Sequence, residues 1–428
     1  MTEPARVPRA VIVHAGNRDR YQVALALHEA GLLEKLVTDI YFPLDKLWFN
    51  RTLGRLLPME WLMKRYCPGL PSDKVCSTAK ALGAIAANRM LRGRWNLYTI
   101  SDSILGSKAQ IIAKRRHAAV LSYSTYASEA LKPFTCRGTV STPKLLFQMH
   151  PHPASARRIL QEELLRVPNA RNSILQEYEM SISTQAYKKL CAEAQMADGI
   201  IVASSFCART LLEQGIPEER IRVVPYGVNG DDFPEKPQHV TPNKSLRVVF
   251  LGSIVQRKGI AYLLQAMELL RGKPIKLVLC GRTAPDMALL KQYYAYNVEI
   301  KLGLPHKKVL HELHSADLFV FPSLLEGFAH SILEAMSCGL PVITTPHTCG
   351  PDIIVDGVHG FIVPIRDPQA LADRIAWCLG NRERLVEMGH QAAIRARQFT
   401  WERFRHGIRE AYSSIVASKS SVAGNGVI

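Results

Sequence analysis

Short apolar runs alternate with amphipathic stretches along almost the whole chain. Arg9–Ala15 (RAVIVHA) is closed by Gly16-Asn17, and Val23, Leu25, Leu27, His28 and Leu32 follow at helical spacing. The change from a continuous apolar run to a period near 3.6 residues predicts a strand, a turn and a helix. Further runs cover Ala118–Ser122, Leu145–Met149, Gly199–Ala203, Arg222–Val224, Arg247–Leu251, Lys276–Cys280, Asp317–Phe321, Leu340–Thr344 and Gly360–Val363. Helical stretches lie between most of them. Strands that are apolar throughout need cover on both faces, so the alternation predicts an α/β fold of parallel sheets between helices.

The pattern is interrupted once, at Pro225–Ser245 (PYGVNGDDFPEKPQHVTPNKS), a stretch rich in turn-forming residues. A fresh strand, turn and helix follow at once, dividing the chain into two halves of similar class. No short-period repeat or low-complexity tract is present. The small, polar tail 418–428 is expected to fray.

Charge changes this picture in one region. The chain of 428 residues carries a formal net charge of +17. Thirteen Lys and Arg against three Asp and Glu lie between Arg51 and Arg116. Nearby, Leu47-Trp48-Phe49, Leu53, Leu56-Leu57, Trp61-Leu62-Met63 and Tyr66 interleave with Arg51, Arg55, Lys64 and Arg65. Apolar bulk with basic heads is the composition of a segment lying in an anionic membrane interface, and equally of a packed helix with solvated charges. Residues 41–116 are therefore read as a basic insert that contacts either a membrane or its own domain. No nucleic-acid-binding module is visible. Nine dispersed cysteines without zinc spacing read as reduced thiols of a cytoplasmic protein. The N-terminus lacks the apolar core of a signal peptide, and no apolar run is long enough to span a membrane.

Ligands of doubly wound sheets bind beyond the C-terminal ends of strands, where helix N-termini attract phosphate. Three such junctions stand out. In ADLFVFPSLLEGFAHSILEAMSCGLPV, Glu326 falls in the turn after a strand, and Glu334, eight positions on, falls about two turns into the next helix. The amides around Gly327–His330 would meet a diphosphate, while the carboxylates would accept hydroxyl hydrogen bonds; helix capping and solvent exposure are the alternative roles. In LGSIVQRKG, Gly252 permits close backbone approach, and Arg257 and Lys258 are cations for a leaving diphosphate or merely a solvated basic turn. In KLLFQMHPHP, His150 and His152 stand at a strand end, as hydrogen-bonding or proton-handling groups, metal ligands or packed loop histidines.

Together these blocks resemble the GT-B-fold retaining glycosyltransferases of the group-1 type (glycosyltransferase family 4). The resemblance is carried by Glu326-Gly327-Phe328 through Leu333-Glu334-Ala335-Met336 and Gly339-Leu340-Pro341-Val342. It is carried also by Ala197-Asp198-Gly199-Ile200-Ile201-Val202-Ala203-Ser204 with Gly215-Ile216-Pro217 and Pro225-Tyr226-Gly227-Val228. Phe250–Gly259 and Asp356-Gly357-Val358-His359-Gly360-Phe361 complete the set, and Phe399-Thr400-Trp401 looks like the start of the family's closing helix. The resemblance implies two Rossmann-like, doubly wound parallel-sheet domains facing across a cleft. Residues 1–235 would be the acceptor side, 236–398 the donor domain, and 399–417 a helix crossing back to the first domain.

It further implies transfer of a hexose from a UDP- or GDP-sugar to a saccharide or lipid-linked acceptor, with retention of configuration. No cofactor or metal would be needed, since Lys258, Arg257 and helix amides take that role. Glu334 would hold the ribose, Glu326 the transferred sugar, and His150 would lie near that sugar. Gly16 would open the first-domain loop toward the donor phosphates, and Gly252, Gly327, Phe328, Ala329 and His330 would frame the pocket. Three positions depart from the family pattern. Ser253 replaces a frequent Arg, Ala329 replaces the second glycine of its turn, and Gly16-Asn17-Arg18-Asp19-Arg20 lacks paired glycines. A nucleotide-sugar 2-epimerase and a non-catalytic sugar-nucleotide sensor are the rival readings on this fold.

Overall fold

The computed structural model describes residues 7–51, 58–78, 98–132, 142–237, 245–282, 286, 290 and 297–424. The first domain is built on strands β1 (Ala10–Val13), β2 (Leu33–Thr38), β3 (Val75–Ser77), β4 (Ala119–Tyr123), β5 (Lys144–Gln148), β6 (Gly199–Val202) and β7 (Ile221–Val223). The second carries β8 (Leu246–Leu251), β9 (Ile275–Gly281), β10 (Val298–Leu302), β11 (Leu318–Phe321), β12 (Val342–Thr344) and β13 (Gly360–Ile362). Their orders are β3-β2-β1-β4-β5-β6-β7 and β10-β9-β8-β11-β12-β13, and every pairing is parallel. These are two Rossmann-like domains, the GT-B fold.

Burial follows position in the sheet. The central strands β1, β4 and β11 are buried at every residue, as their unbroken apolar runs require. The edge strands β3 and β10 are half-exposed and admit polar residues. In each sheet the strand order reverses once, between β1 and β4 and between β8 and β11. A crevice opens at such a reversal because the flanking helices leave in opposite directions. The loops that follow these four strands approach one another and bound a single cleft.

The halves are joined at the back of the cleft. Val228 pairs with Thr400, and a Cβ on Gly227 would come within 2.4 Å of that backbone. The helix Trp401–Gly424 then crosses onto the first domain. Arg405 and Arg409 both pair with Glu29 at 3.1 Å, the Tyr412 hydroxyl donates to Pro8 O at 2.6 Å, and Ile415 fills the space beside Gly199. This helix runs on to Gly424, through residues whose small, polar composition suggested a frayed end. Lys419 anchors that stretch on Asp198 at 2.5 Å.

The basic region 41–116 is not an insert as a whole. It supplies β3 and the helix Tyr98–Arg116, which buries Leu105, Ala109 and Ala113 against the first sheet. Lys114, Arg115 and Arg116 occupy the last turn of that helix, where cations complement the dipole. What remains distinct is residues 42–66. Phe42 packs on Phe49 and Trp61, while Leu47, Trp48, Met59, Trp61 and Met63 present exposed apolar surface. Leu53, Arg55, Leu56 and Leu57 lie outside the described residues.

Candidate active site

The cleft has a volume of about 770 Å³ and is lined by Gly16, His150, Gly252, Arg257, Lys258, Glu326, Gly327, Phe328, Ala329, His330 and Glu334. It lies within the size range of small-molecule sites. Its narrowest point is interdomain. A Cβ on Gly327 would stand 1.8 Å from Met149 O, so this position excludes every side chain. Ser204 locks the approach by donating its hydroxyl to Gly327 O at 2.7 Å. Asp352, from the second domain, accepts the Ser205 amide at 3.0 Å and so caps a first-domain helix.

At the floor lies a charge cluster. Glu326 is buried, and its Oε1 accepts from Lys258 Nζ, from Arg257 Nη1 at 2.7 Å and from Ser323 Oγ at 3.0 Å. Burial alone would push this carboxyl up, but the Lys258 and Arg257 charges override it and hold the pKa at about 2. Lys258 is pushed down to about 8 by burial and the neighbouring Arg257, against the pull of Glu326. Arg257 is held fully charged: burial opposes its charge, but Glu326, Glu177 and Glu179 outweigh it. Its Nε reaches across to Glu177 of the first domain at 2.9 Å. Arg257 and Lys258 lie in the 3-10 turn Gln256–Lys258, not in the helix itself. Gly259, at φ 74°, ends that turn, and a Cβ there would meet Pro322 O at 2.0 Å.

Glu334 is nearer the helix start than its spacing from Glu326 suggested. The helix His330–Ser337 begins only at His330, because Ala329 takes a left-handed conformation at φ 73° and extends the turn. Glu334 therefore lies just over one turn in. Ala329 supplies no capping side chain, so the first turn of this helix faces the cleft with its dipole unmasked. Burial pushes the Glu334 carboxyl up to about 7, Arg20 pulling it down and Asp232 pushing it up. Arg20 and Asp232 pair with each other at 3.4 Å. His330 packs between Tyr226 and Trp401, with ring centroids 4.7 and 6.0 Å away, and burial and Arg20 lower its pKa to about 4.

The two strand-end histidines separate. His152 caps the helix Pro153–Arg166, accepting from the Ala154 amide at 3.2 Å, with its other nitrogen 3.2 Å from Cys191 O. Both ring nitrogens are thereby used, which fixes a neutral tautomer and leaves no lone pair for a metal. His150 is open to the cleft's solvent yet enclosed by protein, and burial with the Arg257 and Arg18 charges lowers it to about 4. Among the described residues no group of three or more His, Cys, Asp or Glu stands close enough to hold a metal ion.

Arg18, Asp19, Asp102 and Tyr126 line the cleft or support its loop, and none was marked as a site residue in the sequence. Arg18 brings a third cation from the first domain and hydrogen-bonds Tyr126. Asp19, bonded by the Tyr123 hydroxyl and pushed up to about 7 by burial, supports that loop at φ 44°. Asp102 and Tyr126 line both this cleft and an adjoining cavity of about 970 Å³ in the first domain. The absence of paired glycines was the available signal for Arg18; Asp102 and Tyr126 carried none.

Residues 231–395 match the family described as glycosyl transferases group 1. The amylovoran biosynthesis glycosyltransferase AmsK of Erwinia amylovora is 26% identical over 215 residues, 47% of this chain and 51% of that protein. The capsular polysaccharide biosynthesis glycosyltransferase CapM of Staphylococcus aureus is 27% identical over 225 residues, 48% and 59% of the two chains. The matched stretch spans about half the length of such curated relatives, 50% and 47% for two others. Among solved structures, the sucrose-phosphate synthase of Thermosynechococcus elongatus superimposes with a TM-score of 0.62 at 18% identity, covering 96% of this chain and 100% of its own. HepE of Anabaena, in complex with UDP, gives 0.60 at 15% identity, covering 95% and 100%.

Proposed function

We propose that the protein is a retaining glycosyltransferase of family 4 that transfers a hexose from a UDP- or GDP-sugar to a hydroxyl of a saccharide or lipid-linked acceptor. The observation that supports this best is the cluster Glu326, Lys258 and Arg257 beside an uncapped helix start, at the point where two strand-order reversals face each other. A diphosphate needs cations and free amides, and a sugar needs carboxylates and neutral hydrogen-bonding groups. The cleft offers both within one cavity.

In this reading the diphosphate lies against the first turn of His330–Ser337. Lys258 and Arg257 have donors beyond those given to Glu326, and these take up the charge that grows on the leaving diphosphate. That is the work a divalent ion does elsewhere, so transfer proceeds without metal, and a chelator leaves the rate unchanged. Glu326 stays ionised and accepts hydroxyls of the transferred sugar, and Glu334 accepts those of the ribose. His150 stays neutral and hydrogen-bonds the sugar from the first domain. A thermal-shift screen with UDP-, GDP- and ADP-sugars tests this directly. At a hundred times Kd a ligand adds about 2.7 kcal/mol of stability, so one donor raises the midpoint by several degrees. No shift with any of them counts against the reading.

We propose too that the surface formed by residues 42–51 and 58–66 rests on the anionic inner face of a membrane. The exposed Leu47, Trp48, Met59, Trp61 and Met63 lie beside Lys46 and Lys64, which pair with Asp45 at 3.7 Å and Glu60 at 2.7 Å on the surface and are free to exchange those partners for anionic headgroups. No helix among the described residues is long and apolar enough to cross a membrane. Sedimentation with phosphatidylglycerol vesicles is expected to pull the protein down at low salt, and a Trp48→Ala, Trp61→Ala double variant is expected to stay in solution. Equal sedimentation of both, or binding only to an oligonucleotide, would refute the membrane contact.

A further inference from the structure

The turn that carries Arg257 and Lys258 belongs to the second domain, but much of what holds it comes from the first. Gln256, fully buried, donates through Nε2 to Glu163 Oε1 at 2.6 Å, and its amide donates to Ser173 Oγ at 3.2 Å. Its own Oε1 accepts the Ala261 amide at 2.9 Å and so ties the turn to the helix behind it. Glu163, on the helix Pro153–Arg166, is itself fully buried. Its second oxygen accepts from the Tyr262 hydroxyl at 3.1 Å and from Arg366 Nε at 2.9 Å. All three side-chain donors to this carboxylate come from the opposite domain.

Arg366 completes the arrangement. Its Nη1 donates to Glu162 and its Nη2 to Ile159 O, each at 2.9 Å, so all three nitrogens of one guanidinium grip a single first-domain helix. Its backbone is left-handed, at φ 62°, a conformation that costs a residue with a Cβ and that persists where the surroundings enforce it. A buried carboxylate with partners only across a domain boundary is satisfied when the domains are closed and rehydrated when they part.

We propose that Glu163 and Arg366 form an interdomain latch and act as positioning residues: closure of the cleft sets the turn that presents Arg257 and Lys258 to the donor diphosphate. Neither residue lines the cleft; Glu163 acts through Gln256, and Arg366 acts through Glu163. The proposal rests on the donor-site reading above, and it predicts a particular kinetic signature. Without the latch the open state gains population, and the donor must supply the closure, so its KM rises. Once the donor is saturating the closed site re-forms, and kcat stays close to wild type.

The test uses the full-length protein with Glu163→Ala, Arg366→Gly and the double variant. Arg366→Gly is the variant least exposed to misfolding, because glycine accepts the left-handed backbone. Small-angle scattering without ligand is expected to show a larger radius of gyration in each single variant, and a less than additive increase in the double, since the two changes share the Glu163–Arg366 contact. Donor KM, and the Kd of UDP, GDP or ADP by calorimetry, are expected to rise on the order of tenfold, with kcat within a factor of about two. An unchanged radius in Arg366→Gly overturns the latch. A fall in kcat at unchanged KM overturns the coupling to the donor. If the wild type binds no nucleoside diphosphate at all, the donor-site reading fails, and the scattering result alone decides the latch.

Discussion

Glu326→Ala is expected to lower kcat/KM on the order of 10²- to 10³-fold, the usual effect of deleting one preorganised polar contact to a transition state. Glu326 Oε1 is shared by Lys258, Arg257 and Ser323, so its removal loses the proposed sugar contact and also strands two adjacent cations. Those cations repel each other, and Lys258, already lowered to about 8, loses the charge that opposes its desolvation. The fold survives, because the cleft admits water and counter-ions to the unpaired groups. A circular dichroism spectrum matching wild type, beside the lost turnover, is the expected pair of results. Glu326→Gln keeps one acceptor and loses the charge, so it should fall between the two. Near-wild-type turnover in the alanine variant would remove Glu326 from the site.

Lys258→Ala is expected to cost about 10²-fold or more in kcat/KM for the donor, since Arg257 alone then neutralises the leaving diphosphate. The pH profile adds a sharper signature. The profile of kcat/KM reports groups of the free enzyme. Glu334 loses its proton as pH rises through about 7 and then accepts ribose hydroxyls, which gives the rising limb. Lys258 loses its proton as pH rises through about 8 and ceases to attract the diphosphate, which gives the falling limb. His150 and His330, both near 4, stay neutral across this range and add no limb. The wild type should therefore show a narrow bell between pH 7 and 8. Lys258→Ala should lose the alkaline limb and keep the acid one. An alkaline limb that persists in the variant would assign it to another group.

The strands buried on both faces were legible in the sequence because burial forces continuous apolar runs; β1, β4, β8 and β11 are examples. The strands the pattern missed are β2, β3 and β10. Glu34 and Lys35 break the apolar run of β2. Glu299 and Lys301 face each other's charge at 3.2 Å on the outer edge strand β10, where solvent tolerates them. The second-domain blocks were legible because close packing and a charge cluster demand particular residues: a glycine where position 327 meets Met149 O, and cations at 257 and 258 beside Glu326. The distance of Glu334 from its helix start was misjudged, since the left-handed Ala329 cannot be read from a residue that ordinarily favours helix. Asp102 and Tyr126 were invisible for a different reason. They meet the cleft only through the topology, from a helix and from the loop after a strand.

In the proposed function this cleft activates a nucleotide sugar through Lys258 and Arg257. The most direct test incubates the protein with UDP- and GDP-hexoses in the presence of chelator, with and without saccharide acceptors, and measures release of the nucleoside diphosphate. Release from at least one donor is expected, unaffected by the chelator and lost in Lys258→Ala. Release that needs added metal, or that continues undiminished in Lys258→Ala, would contradict it.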